Sequence, residues 1–442
     1  MKTRFLLSAC VLAVAAAAVG TPAAAWTPVG DIASVRPVPE TWEARTQLSE
    51  IILEPAVDAA HEPRRVLRQT EAGTDVLFKS EVQEGAVFLE FIPRKDNRFP
   101  PVSAGVGAGT FIIKKSLADG SFLQAKIFVQ NNPDCYIRIF PDGGRTAMDI
   151  VLYGESFQTS VVVPSAFQDL LTAPFKRIVE LSTSSVDWSL VMSPDQTPGD
   201  QRLEQVVREL RSRLGTLRDM DDGAMDAEGR LVFIATGKPA PSGKGGFNCS
   251  GFAKWVIDGF YAPLAGSLTD IDTLRSRDSD LLGKAWTARF EEEQDPYFGL
   301  DWSRGLARAL ADQRTGSMPG PAALDVTRSD RFTHVKDVGY EIGDMKALLY
   351  FLARSRPGTF YLGSVNTRSK GAPAGSSMLL RQHHHVVVFL PYFDQTGDFH
   401  PVVMERNKET SVPSLARRYP GEYVNLVRVD SEGPFSPPEL PR

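Results

Sequence analysis

Between residues 76 and 165 the chain is a succession of short apolar runs: VLFKSEV, AVFLEFIP, TFIIKKS, FLQAKIFVQ, YIRIFP, MDIVLYG and SVVVP. Nothing else in the sequence limits the fold so tightly. Runs of this length with alternating apolar and polar residues hide one face of a strand, and a helix has no use for that period. Turn-forming stretches such as Gln130-Asn131-Asn132-Pro133-Asp134 and Pro141-Asp142-Gly143-Gly144 separate them. Regular short strands with turns between them imply an antiparallel, all-β sandwich- or barrel-like domain. A proline- and charge-rich lead-in (26–75) precedes the strands, and a short helix with an extended piece (166–190) follows. The linker Ser193-Pro194-Asp195-Gln196-Thr197-Pro198 places a boundary between 26–195 and 196–442.

Past the linker the period changes. Leu203, Val206, Val207, Leu210 and Leu214 fall at helical spacing over 199–218. The acidic stretch DMDDGAMDAEG has its glycine misplaced for a calcium loop and reads as a solvated turn. A second helix opens at Cys249. Residues 264–345 look mostly helical and polar, with AWTARFEEEQ and WSRGLARALADQ as amphipathic pieces, and read as a helical insertion. After a helix ending at Pro357-Gly358 come the strand TFYLGSV and a β-hairpin, HVVVFLPYF and PVVMERN, turning over Asp394 to Asp398. The second domain is therefore α+β.

At 442 residues, each of two domains is long enough to bury a core. Lys2 and Arg4 precede the apolar run FLLSACVLAVAAAAVG, and Ala23-Ala24-Ala25 offers small residues for cleavage before Trp26. Residues 1–25 thus read as a signal peptide, implying a periplasmic or extracellular protein. The apolar stretch before Cys10 is short, which disfavours a lipoprotein anchor. No later segment reaches the ~20 apolar residues that span a bilayer. Net charge is −5, and −7 without Lys2 and Arg4, so no general electrostatic attraction to nucleic acid exists. Beyond the leader only Cys135 and Cys249 remain. They lie in segments of unlike character, which argues against a disulfide, and Cys135 reads as a buried small hydrophobe.

Cys249 follows the glycine-rich turn of GGFNCSGFAKW and starts a helix. The first N–H groups of a helix lack partners within it and, with the macrodipole, favour a thiolate there. Such a thiolate needs a histidine to share its proton and a polar group to fix the imidazole. Strand alternation puts His383, His385, Val387 and Phe389 on one face and His384 on the other, making His385 the leading base and His383 its rival. For the orienting residue Glu405 leads, Asn407 shares its face, and His400 lies nearer the hairpin turn. The Cys249 backbone N–H is the natural oxyanion donor, with Ser250 and Gly251 beside it. Adjacent histidines on one strand cannot all face one ion, so no metal and no cofactor is expected. His61 and His334 stand alone in polar stretches and read as surface residues.

GGFNCSGFAKW resembles the Asp-Cys-Ser-Gly-Phe signature of the NlpC-type cell-wall cysteine peptidases, a papain-like family, and HVVVFL resembles its His-Val-Gly-Ile-Tyr strand. The resemblance implies a papain-like fold, hydrolysis of peptidoglycan stem peptides, and Cys249, His385 and Glu405 as the catalytic three. It covers residues 230–260 and 345–410. Asn248 stands where the family has aspartate, the upstream tyrosine of the family is missing from ATGKPAPSGKGG, and the interval from Cys249 to His385 is unusually long. An acyltransferase or amidase on another substrate, or an inactive cell-envelope binding protein, are the competing expectations.

Overall fold

In a computed structural model the described residues are 35–95, 98–99, 107–241, 245–277, 295–329, 331–368 and 381–440. The leader with Lys2, Arg4 and Cys10, and the AWTARFEEEQ segment, lie outside them.

The alternating runs form β1 (Arg65–Leu67), β2 (Val76–Gln83), β3 (Ala86–Pro93), β4 (Phe111–Ser116), β5 (Phe122–Phe128), β6 (Tyr136–Asp142), β7 (Arg145–Leu152) and β8 (Glu155–Val163). They make one eight-stranded antiparallel sheet in which each strand pairs with its sequence neighbours. Three of its hairpins close with two residues at positive φ, Glu84-Gly85, Gly143-Gly144 and Tyr153-Gly154, the twist that matches flanking strands. Val87, Leu89, Phe91, Ile113, Ile127 and Ile137 point to the buried face.

That face is not closed by a second sheet. Short helices cover it, Trp42–Gln47, Ser49–Leu53 and Ala56–Ala59 from the lead-in, Phe167–Thr172, Phe175–Ser182 and Trp188–Val191 after β8. The all-β expectation is therefore corrected to a mixed α and β module. These helices are too short to print a helical period on the sequence. Two buried cations tie them down. Arg45 donates to the Leu171 and Ala173 carbonyls at the end of one helix. Lys115 Nζ donates to the carbonyl of Ile52, 2.9 Å away, and to that of Glu54 at the end of another. Each satisfies carbonyls a helix terminus leaves without partners.

The second sheet contains β11 (Tyr340–Glu341), β12 (Thr359–Arg368), β13 (Arg381–Phe393), β14 (Phe399–Glu405), β15 (Lys408–Thr410) and β16 (Tyr423–Asp430), preceded by a separate hairpin, β9 (Gly223–Met225) and β10 (Leu231–Phe233). Its order is β11-β16-β12-β13-β14-β15, antiparallel throughout. Helices Pro198–Leu214, Cys249–Ala265 and Phe298–Thr315 pack on one face, meeting Val386, Val388 and Leu390. Val387 and Phe389 point the other way, against helix Met345–Ser355 and the first module. Tyr153 meets Tyr350 at 4.9 Å between ring centroids, and Phe157 stacks on Phe351 at 5.5 Å. Among the described residues no helix is long and apolar enough to cross a membrane.

Candidate active site

The expected helix runs Cys249–Ala265, and Asn248 caps it. The Asn248 Oδ1 accepts the Gly251 N–H at 2.8 Å, while its Nδ2 donates to the Asp221 carbonyl at 3.1 Å. An aspartate here would supply only the first bond, so asparagine performs the cap and adds a tie to the acidic loop. That cap uses the third N–H of the first turn and leaves the Cys249 N–H, at the helix start, outside it. From the insertion, Trp302 Nε1 donates to the Ser250 carbonyl at 2.9 Å. Helix Phe298–Thr315 is thus a buttress of the core beside the helix that Cys249 opens, with Trp302, Leu306 and Leu310 fully buried.

β13 arrives at the cysteine through a bulge. Val365 opposes His385, but Asn366 opposes His383, so His384 is an extra residue in the ladder. A bulge re-aims the side chains on either side of it. His383 and His385 consequently occupy opposite faces, which corrects the alternation that put them together. His383 turns toward the insertion, with Nε2 2.9 Å from the Asp337 carbonyl and Nδ1 3.3 Å from the Ser364 carbonyl. Burial holds its pKa down to about 4 against those two carbonyls, so it is an uncharged structural histidine. His384 lies outward, with Nδ1 3.1 Å from the Thr367 hydroxyl.

His385 turns toward Glu405, whose Oε2 lies 2.5 Å from Nε2. With Nε2 committed there, Nδ1 is the nitrogen left for Cys249. β14 pairs with β13 only as far as Val388 opposite Met404. Beyond that point the sulfur comes alongside β13, where it engages the Val386 N–H and the His385 imidazole. Burial alone would raise the Cys249 thiol, yet the hydrogen bond and charge of His385, the Val386 N–H and the Ser250 hydroxyl bring it below its ordinary value. For His385 burial pulls downward, and its bonds to Cys249 and Glu405 overcome that and raise it to about 9. Opposed shifts of this kind describe a thiolate beside an imidazolium.

Glu405 is 1% exposed, and burial alone would raise it. His385 and Arg418 hold it below the usual carboxylate range instead. Its register is set by a two-residue turn, Arg406-Asn407, with both φ positive, between Glu405 and Lys408. Asn407 therefore does not continue the strand, and the shared face expected for Glu405 and Asn407 is corrected. Its Nδ2 instead donates to the Arg218 carbonyl and to Asp219 Oδ1, at 3.0 and 2.8 Å. His400 is remote from the sulfur, paired with Asp394 at 2.8 Å and stacked on Tyr392. His334 is half-buried against Asn425 Oδ1 at 3.2 Å, so it is not the surface residue its sequence context suggested. Cys135 and Cys249 are both free thiols, the former buried, with its pKa pushed up to about 12 by desolvation.

Two neighbours carried no sequence signal. Arg418 donates to Glu405 Oε1, and the Tyr419 ring lies 6.1 Å from the His385 ring. Both sit at the end of helix Val412–Arg418, far from any motif.

The chain is thus a mixed α and β protein built on two large antiparallel sheets, with a cysteine, a histidine and a carboxylate aligned at the end of one. A sequence family described as a domain of unknown function (DUF8515) matches residues 34–190, within the first module and short of the cysteine. No curated protein matches the chain, and no solved structure does.

Proposed function

We propose that the chain is an exported cysteine hydrolase of the papain-like, NlpC-resembling kind, cleaving amide bonds in peptidoglycan stem peptides. The alignment of Cys249, His385 and Glu405, with thiol and imidazole shifted in opposite directions, is the observation that carries this reading. The Cys249 thiolate attacks the scissile carbonyl carbon, and the negative oxygen that forms is met by the Cys249 N–H at the helix start. The imidazolium of His385 gives its proton to the leaving amine as the C–N bond breaks, leaving a thioester. His385, now neutral, takes a proton from water, whose oxygen attacks the thioester carbon. The carboxylate product leaves and the thiolate returns. Glu405 holds the ring in one orientation and stabilises it when charged. The leader-like residues 1–25 would deliver this activity to the cell wall.

The test is digestion of purified peptidoglycan fragments, with new amino termini followed by mass spectrometry. We expect wild-type protein to release peptides and Cys249→Ala to lose the activity while melting at the same temperature. Turnover retained in Cys249→Ala would remove the nucleophile assignment.

A further inference from the structure

Glu405 divides its two oxygens. Oε2 faces His385 Nε2 at 2.5 Å, and Oε1 accepts from Arg418. The next residue, Tyr419, sets its ring beside both exposed and buried members of the histidine run, 5.7 Å from His384 and 6.1 Å from His385. Its backbone N–H closes helix Val412–Arg418 on the Leu415 carbonyl at 3.0 Å, and the buried Val412 and Leu415 seat that helix in the core. A rigid short helix therefore delivers a cation to the carboxylate and an aromatic wall to the imidazole.

We infer that Arg418 and Tyr419 are positioning residues that tune the proton held by His385, and that both loosen its hold. Arg418 shares the carboxylate charge, so less of it falls on the imidazolium, and the proton is held less tightly. Tyr419 keeps water from one side of the imidazole, and burial disfavours the charged ring, so the proton is again held less tightly. The phenol itself lies within this field. Burial raises its pKa, Arg418 opposes that, and the charges of Glu405 and Cys249 add to it. The Arg418 guanidinium stacks over the Tyr419 ring at 5.5 Å, so the two side chains hold one another in place.

This inference rests on the proposed nucleophile, and its test needs no substrate. Full-chain protein is alkylated with iodoacetamide over the acid and alkaline range, and the adduct on the Cys249 peptide is quantified by mass spectrometry. The alkaline step in rate reports loss of the His385 proton. We expect Arg418→Gln to move that step upward by about 0.5 pH unit or more, and Arg418→Lys to restore it. Tyr419→Leu, a smaller side chain that admits water to the ring, should also move it upward, while Tyr419→Phe, which keeps the ring, should follow wild type. A purely structural role lowers thermal stability and leaves the step in place. If Arg418→Gln leaves it unmoved or lowers it, the assignment to Arg418 fails. If Tyr419→Leu leaves it unmoved or lowers it, the assignment to Tyr419 fails. Wild-type labelling that rises only in the ordinary thiol range would instead overturn the nucleophile reading itself.

Discussion

A half-buried sulfur carries a desolvation cost as a thiolate, and at Cys249 three donors reverse that: the His385 imidazole, the Val386 N–H and the Ser250 hydroxyl. The sign of the pH dependence follows. The thiolate is present above the lowered Cys249 pKa, and the imidazolium survives until pH rises through about 9. Activity is expected to rise on the acid side below the ordinary cysteine range and to fall near pH 9. Glu405→Gln keeps the shape and removes the charge, so His385 loses its proton earlier. We expect the alkaline limb of kcat/KM to drop by about one pH unit and the plateau by about 10²-fold. An unmoved limb would show that Glu405 does not set the His385 proton. At this scale the sequence was informative. A glycine-flanked cysteine at a helix start and a histidine opening a strand are local patterns with a local physical meaning. Arg418 and Tyr419 were invisible, because their roles exist only once helix Val412–Arg418 packs over the strand.

At the scale of elements, three consecutive histidines acquire three environments from one extra residue. His384 bulges out of the β12–β13 ladder, His385 faces Glu405, and His383 is buried against the Asp337 and Ser364 carbonyls. Simple alternation missed this because a bulge leaves no mark when the residues around it are identical. The same element explains a stability effect without catalysis. His383 is 1% exposed, and its backbone N–H also donates to the Pro296 carbonyl at 2.7 Å, tying β13 to the insertion. His383→Ala should cost about 2–4 kcal/mol in denaturant unfolding and leave the alkylation profile of Cys249 unchanged. A shifted profile would return His383 to candidacy as the base. The helix that Cys249 opens has its own constraint. A Cβ at Gly251 would fall 1.9 Å from the Gly223 carbonyl oxygen, backbone of β9 that cannot yield cheaply. Gly251→Ala is expected to lose about 3 kcal/mol or more and to slow Cys249 alkylation, since the helix start must shift to relieve the overlap. Unchanged melting would mean that the hairpin β9–β10 moves aside freely.

For the whole molecule, the proline-bounded linker at 193–198 suggested two domains, and a sequence shows a linker far better than it shows what the flanking modules bury together. Helix Met345–Ser355 and the Val387–Phe389 face of the second sheet belong to the same apolar core as β2 to β8 and the lead-in helices. Gln130 of the first module donates to the Tyr350 hydroxyl at 2.9 Å and to the Val191 carbonyl at 3.0 Å, and Tyr350 in turn donates to the Leu190 carbonyl. The two modules thus share one apolar core. The second sheet, stripped of its partner, would expose Phe389, Leu349, Tyr350 and Phe393 to water. We therefore expect one cooperative transition by calorimetry, with the calorimetric and van't Hoff enthalpies equal, and we expect a fragment of residues 196–442 to aggregate or to lack fixed packing. Two separated transitions, or a soluble fragment with native near-ultraviolet dichroism, would show that the shared core is only an interface. The consequence reaches the site. β13, which carries His385, is packed on one face by helix Cys249–Ala265 and on the other by this core, so substitutions in the first module's contact with Tyr350 should slow Cys249 alkylation without touching any residue near the sulfur.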